Sequence, residues 1–227
     1  MRFQNKEEAQ GAHIDNYRSD GVSKQYGNPN QSHYLRISYF IDQIKEGSRV
    51  LDVGCNGGSL GVHLLSKDCH VNGIDLITDL VEKAKRRGIY AEQGEAEDLS
   101  RYNDNTFDYV MCGEVLEHLY DPFPAVEEAY RVLKPGGKYI ISVPHPNSFI
   151  SGDKLGDYHH QNFTLEMLNT LIYNFFKKDS AKIVGIPYIE RYNLAEGIKP
   201  IGLNEDGSNM YPPQWVGITA QKEKNDE

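Results

Sequence analysis

Between residues 49 and 144, short runs rich in β-branched and aromatic residues alternate with stretches whose apolar side chains recur at helical spacing. The segments "RVLDVG", "HVNGID", "IYAEQG", "FDYVMC" and "KYIISVP" read as strands. Between them, "SLGVHLLSK", "ITDLVEKAKRRG" and "PAVEEAYRVLKPGG" read as helices, the last stopping at Pro135 and Gly136. Upstream, Tyr34, Ile37, Phe40, Ile41 and Ile44 mark a leading helix; downstream, "TLEMLNTLIYNFF" is a helix, and "KIVGIPYIE" and "QWVGITAQK" are two final strands. Strands that alternate with helices in this way predict a parallel sheet covered by helices on both faces. Such sheets bind ligands outside the C-terminal ends of their strands. The polar clusters of this chain fall just after strands, where that rule places a site.

The chain has 227 residues, enough for one domain with a full core. Residues 1–30 are polar and lack periodicity, so they read as an N-terminal arm; residues 31–221 form the domain, and 222–227 a disordered tail. The net charge of -9 argues against nucleic acid as a partner, because broad binding to a phosphate backbone needs a basic surface. The basic cluster "EKAKRRG" is the solvated face and last turn of a helix. The polar N-terminus is no signal peptide, and no apolar run has the length of a membrane span. Cys55, Cys69 and Cys112 are odd in number and lack metal-type spacing, which fits a reducing, cytoplasmic location.

The first strand runs into "VLDVGCNGGSLG", with Asp52 at its end and Gly54, Gly57, Gly58 and Gly61 following. Glycine permits positive φ and lets a ligand approach the backbone. No Gly-Lys-Ser/Thr ending is present, which argues against an NTPase phosphate loop. The dinucleotide spacing G-x-G-x-x-G is absent too, and Asp52 would repel a pyrophosphate, which argues against an NAD-dependent oxidoreductase.

Over residues 35–180 the chain resembles the class I S-adenosylmethionine-dependent methyltransferases. Their first motif is an acid followed by G-x-G-x-G; Asp52, Gly54, Asn56 and Gly58 occupy those positions, with Asn56 in place of the middle glycine. Asn tolerates left-handed backbone better than most residues, so the departure is mild. Asp75 in "NGID" matches the acid that accepts both ribose hydroxyls. "GEAEDL" matches the stretch that meets the adenine edge, through Glu95 and Ala96, although Glu95 is longer than the usual Asp. The resemblance extends the cofactor contacts to Leu76 and Gly113, and implies that Asp52 reaches the methionine ammonium. It also implies a Rossmann-like sheet of seven strands, mostly parallel with an antiparallel last strand, and methyl transfer from S-adenosylmethionine.

"GEVLEHLYDP" places Glu114, Glu117 and His118 just after the fourth strand. If they begin a helix, all three face one side. E-x-x-E-H at this position is similar to two branches of the family, the ubiquinone-biosynthesis O-methyltransferases and the small-RNA terminal 2'-O-methyltransferases. By that resemblance Glu114, Glu117, His118 and His159 would hold a divalent metal ion. Methyl transfer to a hydroxyl needs the proton removed, by a base or by a metal that lowers its pKa. The residues leave three readings open: a metal site, a metal-free base or substrate-binding role for His118 or His145, or a structural role. Of the adjacent pair His159–His160, at most one faces a site. The acceptor is a small molecule or a glycan. A metal-dependent RNA 2'-O-methyltransferase and an inactive S-adenosylmethionine-binding subunit are the alternatives. Tyr17, Tyr26, Tyr34, Tyr188, Tyr192 and Tyr211 are candidates for an aromatic lid, together with the loop 191–213.

Overall fold

The structure is a computed structural model that describes residues 4–19, 31–145, 159–186 and 215–224. Its centre is a seven-stranded sheet: β1 (Arg49–Val53), β2 (His70–Asp75), β3 (Tyr90–Gln93), β4 (Phe107–Gly113), β5 (Leu133–Pro144), β6 (Ala181–Ile186) and β7 (Trp215–Gln221). The spatial order is β3-β2-β1-β4-β5-β7-β6. β7 runs antiparallel to both β5 and β6, and β1 to β5 are parallel. The expected mostly parallel sheet with an antiparallel last strand is therefore what the chain forms.

The helices are α1 (Lys6–Ser19), α2 (Gln31–Ile41), α3 (Gly61–Leu65), α4 (Thr78–Arg86), α5 (Phe123–Val132) and α6 (Leu165–Tyr173). The sheet is buried on both sides, so its strands are apolar runs rather than strict alternations. Successive side chains still go to opposite faces. Leu51, Val53, Val110, Cys112, Ile141 and Val143 join one core with Val126, Leu168 and Phe176. Val50, Tyr109, Met111 and Ile140 join the other with Phe40, Ile44, Leu64 and Val81.

Three local expectations change. Residues 6–19 of the arm are helical, and Ala9 is buried. Asn5 Oδ1 accepts the Glu8 amide at 2.9 Å while the Glu8 carboxylate accepts the Gln4 amide at 2.8 Å, a reciprocal cap that starts the helix. α5 stops at Val132, short of Pro135, because Leu133 already has extended backbone (ψ 136) and pairs with Phe107 in the sheet. Lys222, expected in the disordered tail, donates to the Tyr130 and Leu133 carbonyls at 2.8 Å each, closing the end of α5. Residues 187–214, with the expected lid loop and Tyr188, Tyr192 and Tyr211, lie outside the described residues, as do Tyr26 and the side chains of Tyr17 and Tyr34.

The chain runs outward from β1 to β3, then returns to place β4 on the other side of β1. That reversal opens a crevice at the C-terminal ends of β1 and β4.

Candidate active site

The crevice is built first by the turn after β1. Gly54 has φ +71° and its amide donates to the Ile74 carbonyl at 2.8 Å. A Cβ there would collide with the Val115 side chain, so only glycine fits. Asn56 sits at φ +51°, as its tolerance of left-handed backbone anticipates, and its amide donates to Asp75 Oδ2 at 2.8 Å. Asp75 Oδ1 accepts the Ile77 amide at 2.9 Å. One carboxylate thus ties the Gly-rich turn to the start of α4, and each of its oxygens keeps acceptor capacity toward the crevice.

Asp52, Gly54, Asn56, Asp75, Leu76, Glu95, Ala96 and Gly113 all line this one crevice, as do Glu114 and His118. Gly58 does not; at φ +80° it backs onto Ala84 and Ile89, and its role is close packing of the turn. Asp52 is 1% exposed, and its Oδ2 has no hydrogen-bond partner among the described residues. Burial, and then the charge of Asp75, push its carboxyl up to about 7, against the opposing charge of Arg36. An acceptor oxygen left without a donor at the wall of a crevice suits a cationic ligand group.

Sequence reasoning missed three residues. Arg36 of α2 is buried yet lines the crevice, close over Gly113. Gln10 lines it from α1. Lys6 reaches Glu95 at 2.6 Å and Glu97 at 3.3 Å, joining α1 to the β3 side. Arg36 had a signal: it stands four residues before Phe40, a charge on the apolar stripe of its helix.

At the end of β4 the expected helix does not form. Glu114 has φ +59°, and residues Leu116–His118 make a single 3-10 turn. The three polar residues therefore do not share a helix face. Glu114 turns toward β5 and β7: Ser142 Oγ donates to its Oε1 at 2.8 Å, and the Trp215 side chain also donates to its carboxylate. Glu117 points elsewhere. It is 2% exposed, and neither carboxyl oxygen has a hydrogen-bond partner among the described residues. Burial, and then the charge of Glu114, hold its carboxyl well above the ordinary range.

His159 arrives from 41 positions down the chain through a backbone clip. The amides of His160 and Gln161 both donate to the Glu117 carbonyl, at 2.7 and 2.9 Å. Gln161 Nε2 adds a bond to the Tyr120 carbonyl at 3.0 Å. The ring of His159 then lies 4.8 Å from that of His118, while His160 packs its ring against Tyr120 at 5.1 Å. Ligand atoms of Glu117, His118 and His159 all fall within 4.8 Å of one another. Three of the four candidate metal ligands thus come together within that distance, and Glu114 is not among them. His145, just after β5, is partly buried with its pKa lowered by burial, and it does not line the crevice.

Residues 51–141 match the family described as "Methyltransferase domain". Over those residues the chain is similar to methyltransferase domains. Among curated proteins, "Ubiquinone biosynthesis O-methyltransferase" of Xanthomonas oryzae pv. oryzae (strain PXO99A) is 41% identical over 116 residues, covering 48% of each chain. The protein of that name from Xylella fastidiosa (strain M23) is 37% identical over 116 residues, 48% of this chain and 47% of that one. Each match spans about half the length of the relative. A SAM-dependent methyltransferase from Archaeoglobus fulgidus superposes with a TM-score of 0.69 at 22% identity, covering 88% of this chain and 98% of that one. A possible histamine N-methyltransferase from Thermotoga maritima gives a TM-score of 0.65 at 22% identity, with coverage of 92% and 96%. These two likenesses concern the fold.

Asp52, Asp75, Glu95, Glu114, Glu117 and His118 fall inside the stretch that matches the family. Arg36, His159 and Trp215 fall outside it, yet the fold brings all three to the same region. No helix among the described residues is long and apolar enough to cross a membrane.

Proposed function

We propose that the domain transfers a methyl group from S-adenosylmethionine to a hydroxyl of a small molecule. The observation that carries this is one continuous crevice, lined by the acceptors of Asp75 and Asp52 and by His118, which neighbours the buried Glu117 carboxylate. The free acceptor capacity of Asp75 fits the ribose hydroxyls, and Asp52 Oδ2 fits the ammonium. Arg36 is the crevice cation that suits the carboxylate. Glu95 and Ala96 face the adenine side, with Glu95 held by Lys6 of α1.

Bound there, S-adenosylmethionine supplies a methyl group already activated by the positive charge on its sulfur. What the protein must add is alignment of acceptor, carbon and sulfur, and loss of the acceptor proton. Glu117, His118 and His159 would hold a divalent ion, which lowers the pKa of a bound hydroxyl. The donor set, one carboxylate and two imidazoles, is one that divalent transition metals accept. That no described residue donates a hydrogen bond to the Glu117 oxygens supports this over a purely structural role. His118 lines the crevice as well, so the candidate metal group borders the proposed cofactor seat.

The relatives' name, with oxygen as the methylated atom and a quinone as the end product, favours an aromatic ring hydroxyl as acceptor over a sugar. The net charge of -9 continues to argue against RNA.

The test is transfer of an isotopically labelled methyl group to dihydroxybenzene acceptors, with and without chelator, followed by mass spectrometry of the product. An O-methylated ring formed with added divalent metal and lost with chelator supports the proposal. Transfer to an amine alone, or none to any hydroxyl, overturns it.

A further inference from the structure

At the end of the crevice under β1 and β4, three buried or partly buried charges face the same space: Asp52, Arg36 and Glu114. Asp75, Glu95 and Glu97 also line the crevice, and Lys6 pairs with the last two. The methionyl end of S-adenosylmethionine also carries three charges, an ammonium, a carboxylate and a sulfonium. Asp52 answers the ammonium and Arg36 the carboxylate. Glu114 is then one carboxylate more than an ordinary amino acid needs.

Glu114 is also held with unusual care. Its backbone sits in the left-handed region at φ +59°, a conformation that persists in a non-glycine residue when the surroundings over-determine it. Its amide donates to the Ser142 carbonyl at 2.9 Å, and Ser142 Oγ donates to its Oε1 at 2.8 Å. The Trp215 side chain donates to the same carboxylate, and the Arg36 guanidinium lies 5.9 Å from the Trp215 ring centroid. Ser142 is fully buried and Trp215 is 4% exposed, so this collar excludes water. Burial pushes the Glu114 carboxyl up, and Arg36, Ser142 and Trp215 act against it by favouring the charged form. These ties hold Glu114 at the crevice wall, and it is not among the ligand atoms that Glu117, His118 and His159 bring together.

We propose that Glu114 is the counter-charge of the cofactor's sulfonium, with Ser142 and Trp215 as positioning residues. The crevice thereby distinguishes S-adenosylmethionine from its demethylated product. The distinction is chemical: transfer of the methyl group turns the sulfonium into a neutral thioether, and Glu114 is left with its ties to Arg36, Ser142 and Trp215 in a water-poor site. Product therefore offers that buried carboxylate less compensation than substrate does, which weakens product retention relative to substrate. This rests on the crevice being the cofactor's seat.

The experiment is calorimetric titration with S-adenosylmethionine, S-adenosylhomocysteine and sinefungin, an analogue with an ammonium where the sulfonium stands. Chelator is present throughout, so that metal plays no part. Glu114→Gln keeps the shape and removes the charge. It should weaken both cationic ligands about 10–100-fold, the scale of a charge-assisted contact, and the thioether less than about threefold. Equal losses for all three ligands, or none for any, overturn the inference and leave the cofactor reading standing. If the wild-type protein binds none of them, the cofactor reading itself fails. Should Glu114→Gln not fold, Ser142→Ala releases the carboxylate while leaving it in place. That variant should lower the preference for the cationic ligands, and Ser142→Thr should restore it. An unchanged preference in Ser142→Ala overturns the inference as well.

Discussion

Replacing Asp75 by Ala separates the two tasks that this one side chain performs. Its carboxylate accepts the Asn56 amide at 2.8 Å and the Ile77 amide at 2.9 Å, so the change removes two bonds that shape the Gly-rich turn. Bonds to a charged acceptor each contribute about 1.5–3 kcal/mol. Water from the crevice can take over the two amides, so the net loss should be about 2 kcal/mol, or about 4–8 °C in Tm for a domain of this size. The same change removes the acceptors for the ribose. S-adenosylhomocysteine affinity should fall by about 2–4 kcal/mol, roughly 30–1000-fold. Asp75→Asn retains one acceptor oxygen and should lie between wild type and Ala in both measurements. Thermal unfolding reads the first effect and titration calorimetry the second. An intact affinity in a folded Asp75→Ala variant would place the ribose elsewhere. An unchanged Tm would mean that the turn stands without its carboxylate.

Asp52 makes cofactor affinity depend on pH. Its carboxyl lies at about 7 in the fold against 3.8 unfolded, so between those values the folded chain binds the extra proton and stability falls as pH rises. Only the ionised form pairs with an ammonium, so affinity for S-adenosylhomocysteine should drop by up to about tenfold per unit below pH 7. Titrations at pH 5.5, 6.5 and 7.5 check this, and a flat profile would contradict it. Glu117→Gln should remove any rise in Tm that manganese or zinc confers on the wild-type protein, while leaving metal-free stability equal or higher, because a buried carboxylate without a hydrogen-bond donor among the described residues is gone. A metal-induced rise that survives the change would exclude Glu117 as a ligand. Thr164 caps α6 by accepting the Met167 amide at 3.1 Å, so Thr164→Ala should cost about 1 kcal/mol, read as a fall of about 2–4 °C in Tm.

The alternation of strands and helices is readable because each element buries a long apolar run, and the order of elements then leaves few sheets to choose from. The crevice is readable for the same reason: Asp52, Asp75 and Glu95 sit at strand ends, where chain order alone fixes their neighbourhood. What escapes a sequence reading depends on single local bonds. The Asn5–Glu8 cap is written in the sequence as N-x-x-E, but the polar stretch around it has no apolar period to draw attention. Glu114 looks like the first residue of a helix, and its left-handed φ follows from Ser142 and Trp215, which are 28 and 101 positions away. The pairing of His118 with His159 rests on two amides reaching one carbonyl, a contact without any signature in the sequence. Arg36 is hidden by a helix whose other stripe positions are apolar.

Whether the crevice between Asp75 and His118 seats S-adenosylmethionine is tested most directly by titrating the wild-type protein with S-adenosylhomocysteine and, separately, with NAD. Micromolar-range binding of one S-adenosylhomocysteine per chain, lost in Asp75→Ala, with no heat from NAD, is the result this structure predicts. Heat from NAD and none from S-adenosylhomocysteine would contradict it.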